Sequence, residues 1–163
     1  MIILGIDPGY ATIGYAVLEH EKAKNLLVTC GVLKTESNVE FPKRLEKIFK
    51  DSADLFLIHN PDVTAVESLY FQNNQKTAMA VAHARGVLVL AAQVAKVPIF
   101  EYTPLQVKVA MTGCGRAKKN QVMEMAQKSL NLDFLPKPDD AADAIAIAVC
   151  HAGRLTTEYQ SHD

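Results

Sequence analysis

Two short apolar runs in this chain each end on an acid. Ile2-Ile3-Leu4-Gly5-Ile6 stops at Asp7-Pro8-Gly9, and Val63-Thr64-Ala65-Val66 stops at Glu67. A continuous apolar run bounded by turn or polar residues is the signature of a strand covered on both faces. A sheet built from such strands needs helices on both sides, so the chain must fold in layers. Thr12 to His20 and Leu26 to Lys34 add two β-rich segments, split by the polar stretch 20–25 in the manner of a hairpin. Three strands therefore open the chain.

The remainder alternates helix and strand. Pro42 begins a helix that carries Phe41, Leu45, Ile48, Phe49, Leu55 and Phe56 on an apolar face and Lys43, Arg44, Glu46, Lys47 and Lys50 on the other, ending by Asn60-Pro61. Residues 75–95 read as a helix apolar nearly all round, Pro98 to Tyr102 as a strand, and Thr103-Pro104 as a helix start. A turn at Thr112-Gly113-Cys114-Gly115 precedes a helix over Lys118 to Leu130, and the last helix is expected over Asp139 to Leu155. The expected class is α/β: a mixed five-stranded sheet flanked by helices, in one domain spanning 1–163, with about the last eight residues as a flexible tail.

Composition narrows the function. At 163 residues, 49% hydrophobic and 21% charged, the chain suits one globular domain and is too short for two lobes. Its net charge of -1 sets up no global attraction for a polyanion, so such a partner must be met by a local cluster. The N-terminus lacks the basic start and small-residue cleavage site of a signal peptide, and the most apolar stretch, 78–95, is interrupted by His83, Arg85 and Gln93. Cys30, Cys114 and Cys150 are odd in number and far apart, which fits neither a disulfide framework nor a zinc site. A cytoplasmic protein with no membrane partner is expected.

The acids carry the chemistry. Asp7 and Glu67 each close a buried strand, where an unpaired carboxylate is expensive to desolvate. Each taken alone has a plain reading, a turn for Asp-Pro-Gly and a strand-end surface charge for Glu67. Asp140 and Asp143 lie three apart at the start of a helix continuing almost wholly in alanine, isoleucine and valine, so they share a face about one turn apart. Acids there also suit the helix dipole, and the neighbouring Asp139 fits either the cap or the place given to Asp140. Jointly, four carboxylates at one sheet edge would repel, each pair about 4 Å apart by roughly 4 kcal/mol at an effective dielectric of 20. A divalent cation resolves that conflict, and an all-carboxylate set selects Mg²⁺ or Mn²⁺ over zinc.

Cations follow in the next segment. From Pro104 to Lys128 the chain has Lys108, Arg116, Lys118, Lys119 and Lys128 against Glu124 alone. A solvated helix face is the plain reading, yet Gly113 and Gly115 beside Arg116, Lys118 and Lys119 at a helix start suit phosphate. Tyr70, Phe71 and the amides through Asn74 follow Glu67 and could stack on bases or wedge between them.

These stretches together resemble the RuvC-type Holliday junction resolvases, bacterial endonucleases of the ribonuclease H-like fold. The likeness runs from IDPG at Asp7 through VESLYFQNNQ at Glu67, EYTPLQVK at Lys108 and GCGRAKKNQV at Lys119 to DDAADAIAIA at Asp140 and Asp143. It implies a homodimer that nicks two strands of a four-way DNA junction symmetrically, leaving ligatable ends, with a RuvA/RuvB-type branch-migration complex as partner. The family acids fall on Asp7, Glu67, Asp140 and Asp143, its phosphate-binding lysines on Lys108 and Lys119, and its wedging aromatic on Tyr70. That aromatic is more often phenylalanine, so Phe71 could share the role. The implied chemistry uses two Mg²⁺ per site, with Mn²⁺ as a substitute, because general-base help of about 10²–10⁴-fold is too little for phosphodiester hydrolysis. The rival readings are a sugar-kinase-like ATP site, which needs a second lobe, a junction-binding module without catalysis, and a ribonuclease H-like nuclease acting on RNA.

Overall fold

In the computed structural model, which describes residues 1–22, 24–68, 75–134 and 136–160, five strands form one sheet. They are β1 (Ile2–Asp7), β2 (Thr12–Glu21), β3 (Lys24–Lys34), β4 (Val63–Glu67) and β5 (Ile99–Tyr102), in the order β3-β2-β1-β4-β5. The pairs β1/β2 and β2/β3 are antiparallel, while β1/β4 and β4/β5 are parallel. The mixed sheet expected from the sequence is present, and its two most apolar strands sit side by side at its centre.

The β1/β4 register is held at its start by Asp62. Its carboxylate accepts from the Ile2 N–H at 2.6 Å, and its own N–H donates to the Ile2 carbonyl at 2.9 Å. Pairing then runs from Ile3 with Val63 to Ile6 with Val66, which leaves Asp7 and Glu67 as the next residues on adjacent parallel strands. Side chains in parallel register point to the same face. Both acids are therefore delivered to one face at one edge.

Helices cover both sides. On one, α1 (Phe41–His59) and α2 (Gln75–Val94) close over Leu4, Ile6, Ile13, Val17 and Val66 with Ile48, Phe56, Ala84, Leu88 and Ala91. On the other, α5 (Asp139–Gln160), backed by α3 (Pro104–Thr112) and α4 (Lys119–Ser129), lies against Ile3, Ala16, Leu18 and Ala65. Ile145 and Ile147 of α5 are fully buried, each worth about 1.5–3 kcal/mol of burial. Small residues set how close this helix comes. A Cβ on Gly5 would run into the Ala144 carbonyl, and one on Gly14 into the Asp140 carbonyl.

Local signals explain the boundaries. Pro42 opens α1, and Asn60 closes it in a left-handed conformation at φ 42°, its N–H donating to the Phe56 carbonyl. Thr103 caps α3 in a reciprocal box with Gln106. Three expectations need correction. Arg44, placed on the polar face of α1, is buried because its guanidinium stacks 3.6 Å from the centre of the Tyr10 ring and its Nε–H donates to Thr35 Oγ1 at 3.0 Å. Helix α5 continues past Leu155 to Gln160, with the Thr156 hydroxyl donating back to the Ala152 carbonyl. Asp139 is the first helical residue rather than a cap, since the turn closes on the Pro138 carbonyl, which accepts from the Ala141 N–H.

Helix α2 differs from its neighbours. By length and composition Thr77–Val94 would pass for a membrane-crossing helix, and 22% of it is buried. Its arginine has a partner within the fold, since Arg85 pairs with Glu101 of β5 at 2.6 Å. Met79, Leu90 and Val94 nevertheless face outward, 69%, 53% and 62% exposed.

Candidate active site

Each acid reaches the site by a different local rule. Asp7 and Glu67 arrive at the C-terminal ends of β1 and β4, and Asp140 and Asp143 at the first turn of α5, which is pressed onto the same face. The electrostatics of Asp7 show that the four are brought together. Burial first, and then the charges of Asp143, Glu67 and Asp140, together raise its carboxyl from 3.8 to about 8, with Lys119 opposing the rise. Glu67 is also raised, first by burial and then by Asp143, against Lys108 and Lys119.

Lys119 is the counterweight. As the first residue of α4 it reaches across to α5, where its ammonium donates to Asp143 Oδ2 at 2.7 Å and lies 3.6 Å from Asp139 Oδ2. Burial pulls the lysine down, but the Asp143 hydrogen bond and charge, with Asp139 and Asp7 behind them, leave it above its usual value. The helix start is set by its neighbour, whose N–H, that of Lys118, donates to the Gln121 side chain at 2.8 Å.

Glu67, Lys108, Lys119 and Asp143 line a cleft of about 240 Å³ with the apolar Pro104, Val107, Val122 and Ala146. Two acids and two lysines thus share one opening beside Asp7. Arg116 and Lys118 are exposed on the segment between α3 and α4 and do not line this cleft. Tyr70, Phe71 and Asn74 lie outside the described residues.

The donor set consists of carboxylate oxygens, which suits hard divalent cations. Among the described residues no three His, Cys, Asp or Glu side chains already close on a common point, and Asp143 is turned toward Lys119. The residues fit a cation by their chemistry: Asp7 is raised to about 8 by burial and by three neighbouring carboxylates, and a divalent ion bound among them would offset that crowding.

Some of the supporting structure was not visible in sequence. The Thr35 hydroxyl donates to the Tyr10 carbonyl at 2.7 Å, so Thr35, Arg44 and Tyr10 brace the loop that follows Asp7. On the other side, the buried His151 of α5 has its Nδ1 2.6 Å from the hydroxyl of Tyr102, which is Glu67's register partner on β5. A polar residue in the apolar run of α5 was the one available hint of that second contact.

Comparison with known proteins places the chain in a family. Residues 3–151 match the family model "Crossover junction endodeoxyribonuclease RuvC". A protein of that name from Alkaliphilus metalliredigens is 51% identical over 152 residues, covering 93% of each chain. The structure of Thermus thermophilus RuvC superposes with a TM-score of 0.90 at 34% identity, over 97% of both chains. T. thermophilus RuvC in complex with Holliday junction substrate does so at 0.88 and 32%, over 96% of both. With its ribonuclease H-like sheet carrying acids to one edge, this chain belongs to the RuvC family of crossover junction endodeoxyribonucleases.

Proposed function

We propose that this chain resolves four-way DNA junctions in recombination and repair, as a single nuclease domain over 1–163 that makes paired symmetric nicks with 5′-phosphate and 3′-hydroxyl ends. The observation that carries the reading is the convergence of Asp7, Glu67, Asp140 and Asp143 beside Lys119. The four carboxylates hold two Mg²⁺, for which Mn²⁺ substitutes. Bound there, the pair supplies Lewis acidity toward the attacking water and the leaving 3′ oxygen.

The chain's own groups do the rest. Lys119 brings its ammonium to the charge that grows on the scissile phosphate, an electrostatic role that needs no proton transfer. Lys108 binds phosphate inside the cleft, and Arg116 and Lys118 hold the backbone of the DNA outside it, which gives a protein of net charge -1 its grip on a polyanion. Tyr70, Phe71 and Asn74 contact bases at the crossover. The exposed apolar side of α2 joins two copies, so that two sites can nick two strands. A RuvA/RuvB-type motor supplies the junction in a cytoplasm reducing enough to keep Cys30, Cys114 and Cys150 as free thiols.

The experiment is a cleavage assay with Mg²⁺ that offers a four-way DNA junction beside structured RNA. Paired nicks in the DNA junction are expected. Preferential cutting of the RNA, or binding without cleavage, would overturn the assignment.

A further inference from the structure

Asp143 has two claimants. Its Oδ2 accepts from the Lys119 ammonium at 2.7 Å, and the same carboxylate belongs to the set that suits a cation. A divalent ion and an ammonium compete for one side chain, so the lysine needs another place to stand when the ion is bound. Asp139 provides it. It lies four residues earlier on α5, on nearly the same side of the helix as Asp143, with its Oδ2 3.6 Å from the Lys119 ammonium.

Asp139 and Asp140 are adjacent in sequence but act on different groups. Successive helical residues turn by about 100°, which sends their side chains apart. Asp140 is among the charges that act on Asp7, whereas Asp139 is among those that act on Lys119. Exposure separates them as well: the Asp139 side chain is 64% exposed and that of Asp143 31%. An acid at the rim, within reach of the lysine, is suited to holding that lysine rather than a metal.

We propose that Asp139 is a positioning residue, the carboxylate that receives the Lys119 ammonium when Asp143 turns to a divalent cation. The lysine then moves between two acids of one helix face and stays at the mouth of the cleft instead of swinging into water. The inference rests on the metal-binding reading given above.

The test follows the lysine directly. Nuclear magnetic resonance of ¹⁵N-labelled lysine ammonium groups, with the Lys119 signal assigned by its loss in Lys119→Met, is recorded on the full chain without DNA. In the wild type the hydrogen-bonded signal is expected to persist when Mg²⁺ is added. In Asp139→Asn it should be present before Mg²⁺ and vanish after it, because Asp143 holds the ammonium only until the ion arrives. Asp139→Glu should restore it. Calorimetry should show Mg²⁺ affinity reduced no more than about fivefold in Asp139→Asn, as for the loss of one exposed charge.

A signal that persists with Mg²⁺ in Asp139→Asn would overturn the proposal, and abolished Mg²⁺ binding would make Asp139 a ligand and overturn it too. If Mg²⁺ binds the wild type and Glu67→Gln alike, the metal reading itself fails, an outcome visible before any lysine signal is considered.

Discussion

Asp7 and Gly14 face each other across the β1/β2 ladder, and the hydrogen that Gly14 carries in place of a side chain lets the Asp140 carbonyl rest on the sheet beside Asp7. The site thus depends on a residue with no functional group. Gly14→Ala would push the start of α5 outward, at about 1–3 kcal/mol for overpacking a contact between two backbones. Cleavage is expected to fall by more than junction affinity, with urea denaturation reading the stability and single-turnover assays the rate. Unchanged cleavage would show that the close approach is not what places Asp140.

The acids predict a separation of chemistry from binding. Asp7→Asn, Glu67→Gln and Asp143→Asn should each abolish cleavage while junction binding survives, since each removes a carboxylate and leaves every cation of the basic segment in place, Lys119 losing only its ion pair in Asp143→Asn. Ca²⁺, larger than Mg²⁺ and looser in geometry, should support binding but little cleavage. Near wild-type cleavage by any of these variants would remove it from the metal set.

Without divalent cations the same acids should make stability depend on pH. The folded value for Asp7 lies near 8, above its ordinary 3.8, so the folded state binds the proton more tightly than the unfolded chain. That stabilisation is complete below about pH 4 and is lost as pH rises toward 8, by an amount on the order of a few kcal/mol. Glu67, raised as well, acts in the same direction. Urea denaturation in EDTA should therefore show falling stability across this window, and Asp7→Asn should flatten much of the fall. A wild-type profile that is flat from pH 4 to 8 would contradict the crowding of carboxylates.

How much of this was legible before the structure depends on which residues touch. The acid-terminated runs at Ile2–Asp7 and Val63–Glu67 became the central parallel strands because short apolar runs of that kind have few other homes. Arg44 was misread because amphipathic spacing sorts residues by polarity, whereas an aromatic ring and a hydroxyl twenty-five residues apart in sequence made a buried place for a guanidinium. The Lys119 contact to Asp139 was invisible for a similar reason, since it joins residues twenty apart on two different helices and no local pattern encodes which acid faces which lysine.

Lys118 and Lys119 should separate contact with DNA from catalysis. Log affinity should fall with log salt by roughly 0.9 per neutralised phosphate, and Lys118→Ala should flatten that slope with the rate at saturation nearly intact. Lys119→Ala should lose rate far more than affinity, because only interactions stronger in the transition state speed the bound complex. Equal rate losses in single-turnover cleavage would deny Lys119 its special part.

The outward stripe of α2 predicts a dimer. Met79, Leu90 and Val94 are exposed, and a Cβ on the helical Gly86 would meet nothing among the described residues. A glycine there costs about 1 kcal/mol of helix stability relative to alanine, and no contact within the described part of the chain requires it. Sedimentation should show a dimer at micromolar concentration that Leu90→Glu splits, and a wild type that stays monomeric with junction DNA present would refute the idea.

The clamp between Asp62 and Ile2 has a consequence for how this protein can vary over generations. From Ile2 to Asp7 and from Asp62 to Glu67 the two strands are rulers of equal length, tied at one end and read at the other. Letters along them can be exchanged for others of similar size, but a single codon gained or lost in one alone turns its terminal carboxylate to the opposite side of the sheet. Lineages should tolerate almost no change of length within Ile2–Asp7 or Asp62–Glu67, and a deep mutational scan that includes single-residue deletions would display the two strands as two intolerant blocks.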